Sequence, residues 1–279
     1  MKLIKILGRV LGGLLLVGLL TLFTQVGGLI FLACLPFFRW IKKRQTGWKS
    51  AGLQIGGFLL IYTLVCALLI PPLARLNDRV PLPVFSETHL KPQHMGYAWF
   101  NRHYVKPALR EVLIAQADRL AAQHPGVVLA YLDANFPFID GLSLPPHLSH
   151  KDGKKVDLAF LYLDEKGKPW PRKARTAIAY GGVEAPVVGE QNVPARCRKQ
   201  GYWMYNALSD LVGGGRENLS LDRKATRDMV RNFARDGEVG KLLLEPHLKQ
   251  RWGLGGFNKI RFAGCYAVRH DDHLHVQLP

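Results

Sequence analysis

Apolar and polar positions divide the chain into two unlike parts. Residues 1–72 hold two long apolar runs, roughly Val10–Phe38 and Ala51–Ile70, and no Asp or Glu at all. Each run meets the ~20 residues needed to cross a bilayer. The first is too long for the h-region of a cleaved leader. The pattern therefore predicts an anchor of two transmembrane helices over 1–72. Pro71-Pro72 and Pro81-Leu82-Pro83 then predict an extended linker and domain entry over 73–104.

From residue 105 the pattern changes to short, mixed elements. Leu109, Val112, Leu113, Ala117 and Leu120 recur at helical spacing inside Lys106–His124, and Pro125-Gly126 closes that helix. Val127–Leu132 and Val156–Leu161 read as buried strands, and 165–200 as a turn-rich, flexible cleft wall. Helices are predicted over Gly201–Leu211, with Tyr202 and Trp203 as core residues or, alternatively, the floor of a substrate cleft, and over Ser220–Ala234, with Ser220 as N-cap. Lys241–Glu245 and Ile260–Val268 read as further strands. At the end, Leu274, Val276 and Leu278 alternate with polar residues, the period of a half-buried strand. That period puts Asp271, His273 and His275 together on the opposite face. Irregular alternation of helices and strands predicts an α+β domain over 105–279, with a mainly antiparallel sheet flanked by helices.

Charge changes the picture at two points. The chain carries 38 Lys and Arg against 21 Asp and Glu, a formal net charge of +17. The loop Arg39–Lys49 between the spans is strongly basic and favours the cytoplasmic side, which would place the C-terminal domain outside. Lys2, Lys5, Arg9, Arg75 and Arg79 flank the spans on the other side in equal number, so charge alone leaves orientation open. Basic residues of the second part suit a solvated surface near anionic headgroups. No stripe of Lys and Arg interleaved with aromatics occurs, so no nucleic-acid partner is expected. Cys34 and Cys66 lie inside the spans as packing residues. Cys197 and Cys265 are able to pair in an oxidising compartment, and no CxxC spacing suggests a cysteine metal site.

Candidate chemistry gathers at two stretches. Asp157 interrupts an apolar strand, where an unpaired carboxylate is costly to bury and a cation offsets the cost. His150 precedes it across a turn containing Gly153, and His273 and His275 lie two apart on the last strand. His150, Asp157 and one or both C-terminal histidines form a His/His/carboxylate set of the kind that holds catalytic zinc. Asp271 or Asp272 could orient an imidazole as a hydrogen-bond acceptor. His270, Glu245 and His247 are placed near the cleft, and His147 as a loop residue with a spare ligand as the alternative. Bland roles are also available: a turn histidine at 150, an Asp157 paired with Lys154 or an arginine, surface histidines on an edge strand.

Ser149-His150-x-x-Gly153-x-x-Val156-Asp157 together with His273-x-His275 resembles the signature of the LAS metallopeptidases. Within that group, His270-Asp271-x-His273-x-His275-Val276 and Glu245-Pro246-His247-Leu248-Lys249 are similar to segments of the penicillin-insensitive murein endopeptidases. The cysteine-containing N-terminal pattern of those enzymes is missing here, and two spans are added. The resemblance implies Zn2+ held by His150, Asp157 and His275, with His273 beside it as base or as stabiliser of the tetrahedral intermediate. It further implies hydrolysis of an amide bond in peptidoglycan peptides. The partners would then be peptidoglycan and, through the two spans, the lipid bilayer. The enzyme would sit in the inner membrane, its domain facing the periplasm or cell exterior. Two other readings remain: an inactive metal-binding scaffold at the wall, and a basic membrane-associated module that binds anionic lipid or nucleic acid.

Overall fold

A computed structural model of the chain describes residues 2–145, 147–212 and 218–279. Helix α1 (Lys2–Thr24) is followed by α2 (Gly27–Ala33) and α3 (Leu35–Arg44). The first apolar run is thus broken, where one continuous span was expected. The break is at Gln25, whose φ of 65° is left-handed, and the chain then folds back on α1. Thr24 Oγ1 accepts a 2.8 Å hydrogen bond from the Gly27 amide. A Cβ at Gly28 would collide with Thr21 and Val17, so this close return needs glycine. Helix α4 (Gly47–Leu64) runs on through a π-helical stretch, Val65–Leu69, into α5 (Ile70–Arg75). Pro71 and Pro72 supply no amide hydrogens, and the widened turn relieves their clash with the preceding carbonyls. Ile6–Thr24 and Gly47–Arg75 are both long and apolar enough to cross a membrane.

The rest of the chain is α+β, as the pattern predicts. Its helices are α6 (Met95–Trp99), α7 (Pro107–Gln123), α8 (Val193–Lys199), α9 (Trp203–Val212), α10 (Arg223–Arg235) and α11 (Pro246–Arg251). Six strands form the main sheet: β1 (Leu90–Pro92), β2 (Leu129–Tyr131), β3 (Lys155–Ala159), β4 (Lys241–Leu243), β5 (Ile260–Arg261) and β6 (His273–Gln277). Their order is β1-β2-β3-β6-β4-β5. The three central pairings are antiparallel and the two outer ones parallel. Val156 and Leu158 of β3 and Leu274 and Val276 of β6 are fully buried in one core with Leu109, Leu113, Leu120 and Phe233 of α7 and α10. Strand alternation then turns Asp157, His273 and His275 to the other face.

Several local details differ from the periodicity. Residues 73–104, expected as linker and entry, carry the end of α5, helix α6 and edge strand β1, with Leu82, Leu90 and Tyr104 buried. Proline is tolerated in such edge strands because an outward position needs no ladder donor. Ser220 is not an N-cap: with Leu221 it pairs with Tyr162-Leu163, and Asp222 caps α10 by accepting from the Ala225 amide at 2.9 Å. The strand expected over 260–268 stops at Arg261, because the chain turns at Gly264 (φ 90°) and is tied at Cys265 to Cys197 by a disulfide. Trp203, expected in the core, is 74% exposed at the start of α9.

Replacing Asp222 by Ala is expected to lower stability by about 1 kcal/mol. Ser220→Ala is expected to change it by less than about 0.5 kcal/mol. Denaturant titration of the full chain in detergent separates the two.

Candidate metal centre

Antiparallel register builds the first half of the site. Asp157 on β3 lies directly opposite His275 on β6, and His273 is opposite Ala159. Directly paired residues on one face come within side-chain reach, and His275 Nδ1 lies 2.8 Å from Asp157 Oδ1. His273 Nε2 lies 3.8 Å from the other carboxylate oxygen.

The second half comes from the loop before β3. His147 and His150 sit on a short turn closed by the His150 amide donating to the His147 carbonyl at 3.0 Å. Asn135 secures the loop, donating from Nδ2 to the Lys155 carbonyl at 2.8 Å. Gly153 adopts φ 74°, and a Cβ there would collide with the Arg79 guanidinium, so the turn into β3 requires glycine. His150 Nδ1 donates to the Ala134 carbonyl at 2.7 Å. That bond leaves Nε2 as the electron-pair donor, 3.4 Å from Asp157 Oδ1 and 3.1 Å from His275 Nδ1. His147 Nδ1 lies 3.2 Å from Asp157 Oδ2. One ligand atom each from His147, His150 and Asp157 falls within 4.8 Å of the others, and all three residues are buried. This group can hold a metal ion.

The donor set fits a cation on further grounds. Asp157 is 0% exposed, and its nearest neighbours are imidazoles and a tyrosine. Burial alone would raise its pKa, but His150, His273 and His147 outweigh this and hold it well below the usual carboxylate range. The Nε2 atom of His147 is buried without a hydrogen-bond partner. Burial also lowers His147 and His275, each to a pKa of about 4, which keeps both neutral and able to donate electron pairs.

A layer of partners surrounds the group. Tyr180 Oη donates to Asp157 Oδ2 at 2.9 Å. Asp133, paired with Arg102 at 2.6 and 2.9 Å, has Oδ2 3.7 Å from His147 Nε2. Asp272 takes a close hydrogen bond from His273 Nδ1 and another from the Gly181 amide. Burial disfavours a charged His273, but Asp272 and Asp157 overcome it and raise its pKa to about 9. Between the two aspartates left open above, Asp272 therefore orients an imidazole. Asp271 faces Arg269, with hydrogen bonds to its guanidinium.

Other candidates lie one step out. Buried His270 packs against both His273 and His275, with ring centroids 4.8 and 5.9 Å away. Glu245 accepts from the His270 amide at 3.2 Å and so braces that turn. His247 Nε2 lies 2.8 Å from the Glu184 carbonyl, on the far side of Asp271. From residues 165–200, expected as a flexible cleft wall, Tyr180 and Gly181 bond to Asp157 and Asp272 and the Glu184 amide donates to the Asp271 carbonyl at 2.7 Å, but the cleft beside the group is lined by other segments. Tyr180, Asp133 and Arg102 were not anticipated. Asp133 had a signal, an acid at the end of a buried strand, whereas nothing local marks Tyr180. Alongside, a cleft of about 500 Å³ is lined by His147, Ser149, Lys241, Arg261, His270 and His275. No protein-family model matches the chain, and no curated protein matches it.

Full-length protein in detergent is expected to bind about one divalent metal ion per chain, as one three-ligand site implies. His150→Ala and Asp157→Asn abolish that binding, and Tyr180→Phe weakens it by ~10–100-fold through loss of the bond to the ligand carboxylate. Metal analysis with competitive chelators checks this. Comparing His147→Ala with His275→Ala identifies the imidazole that completes the site.

Proposed function

We propose that this chain is a membrane-anchored zinc peptidase that hydrolyses an amide bond in peptidoglycan peptides. The carrying observation is the convergence of His150, Asp157, His273 and His275 at one buried point, from two stretches that resemble the LAS signature. Zinc fits three nitrogen and oxygen donors, and when bound supplies Lewis acidity and a water whose pKa falls to ~7.

The residues around that point have separable tasks. His150, Asp157 and His275 or His147 hold the ion. Asp272 fixes the His273 Nδ1 proton, which leaves Nε2 directed at the reacting region. A His273 that is protonated at neutral pH donates to the developing oxyanion or to the leaving amine. Lys241 and Arg261 at the cleft edge suit a peptide with free carboxylates. The Cys197–Cys265 disulfide supports an oxidising compartment. Lys42, Lys43 and Arg44 at the end of α3 then fall on the cytoplasmic side. Together they favour an inner-membrane protein whose domain faces the periplasm or exterior.

Incubating the zinc-loaded full chain with purified cross-linked muropeptides should release products one water heavier in total, read by mass spectrometry. His273→Ala is expected to lower kcat by ~10²–10⁴-fold with metal content unchanged. A metal-replete wild type without turnover on cross-linked or linear muropeptides would leave the inactive scaffold as the better reading.

A further inference from the structure

Where α1 meets the sheet domain, the two are separated by a groove of about 620 Å³. Such a volume lies within the ~300–1,000 Å³ of small-molecule sites. One wall is Leu16, Leu19 and Phe23 of α1, each 41–45% exposed. The facing wall is Tyr97, Phe100 and Ile178 of the domain. At its inner end the groove meets Arg102, Asp133 and Tyr180. Tyr180 is the residue that donates to Asp157 at 2.9 Å, so the groove ends one side chain from the candidate metal group.

The groove is held open by fixed contacts. Asn101 Nδ2 donates to the Thr24 carbonyl at 3.4 Å, at the end of α1, and contacts Tyr62 Oη at 3.3 Å. Tyr62 Oη donates to the Trp99 carbonyl at 2.7 Å, and Trp99 Nε1 donates to Thr63 Oγ1 at 3.1 Å. Helix α6 is therefore clamped to α4, and Asn101 just beyond it to the end of α1. Trp99 and Phe100 remain about 40% exposed beside them, as aromatic side chains at a membrane interface do. From Leu16 to Thr24 the wall rises about 12 Å at 1.5 Å per residue. That is less than half of the ~30 Å hydrocarbon core, so the groove reaches into one leaflet only.

We propose that this groove holds one hydrocarbon chain of a membrane lipid, with the polar end toward Arg102 and Tyr180. The wall on α1 is continuous with the face that α1 would present to the bilayer, so a lipid chain enters sideways without crossing water. The one polar side chain lining the groove from α1, Thr24, is already bonded to the Leu20 carbonyl and the Gly27 amide. The inference needs α1 in the bilayer and is independent of peptide hydrolysis.

The test uses the full chain in nanodiscs containing phosphatidylglycerol with a diazirine in the first third of one acyl chain, next to the polar end. After illumination, adducts are mapped by mass spectrometry. Adducts are expected on Tyr97, Phe100 or Ile178, residues of the sheet domain. Leu19→Trp and Ile178→Trp, which fill the groove from opposite walls, should reduce them about tenfold, equivalent to ~1.4 kcal/mol. Leu14→Trp, on exposed α1 surface outside the groove, should leave them unchanged. Adducts spread along α1 but missing from the domain wall would overturn the proposal, as would their absence from both. Persistence of the domain adducts in Leu19→Trp and Ile178→Trp would do the same. Muropeptide turnover plays no part in the readout, so loss of the peptidase reading and loss of this one are told apart.

Discussion

A single carboxylate organises the domain. Asp157 sits in the middle of a sheet strand with 0% exposure, in surroundings where an uncompensated charge would cost several kcal/mol. Compensation comes from every direction at once: His275 across the sheet, His147 and His150 from the preceding loop, and Tyr180 from the segment over it. Each compensating group needs its own partner. His150 has the Ala134 carbonyl, and Asp133 near His147 has Arg102. The polar network is therefore a chain of obligations that begins at one residue, and satisfying it ties the surrounding loops to the sheet.

The sheet makes this arrangement rigid. Its central strands carry Val156, Leu158, Leu274 and Val276 into the core on one face, and a slip of one residue would exchange that face with the ionisable one. Hydrophobic burial thus fixes the register, and the register puts His275 opposite Asp157. Core packing and candidate chemistry are two faces of the same alternation. Helix α6 extends the rigidity outward, since its bonds to Thr63 and Tyr62 tie the domain to α4 rather than leaving it on a loose tether.

Much of this was legible in the chain because the relevant signals are local. The 3.6-residue period of Leu109 to Leu120 and the two-residue period of Leu274 to Leu278 each reflect a single buried face. An Asp inside an apolar run and a His-x-His at a strand start are equally local. Ser220 misled because N-cap preference is shared by Ser and Asp, and two candidates two residues apart cannot be ranked without knowing where the strand pairing of Ser220 ends. Pro81 misled because proline density marks both linkers and edge strands, and Val80-Pro81 pairs with Tyr104-Val105 in a two-stranded ladder.

By itself, then, the sequence determined the two apolar helices, the α+β class, and the strand face that carries Asp157, His273 and His275. These follow from the periodicity of side chains along one segment. Only the tertiary structure decided that His147 stands beside His150, that Asp272 rather than Asp271 serves His273, and that Tyr180 closes over Asp157. The same holds for the Cys197–Cys265 bond and for the groove between α1 and α6. Each of these depends on the meeting of segments distant in sequence, and which side chains meet is set by core packing and loop closure, not by any pattern within one segment.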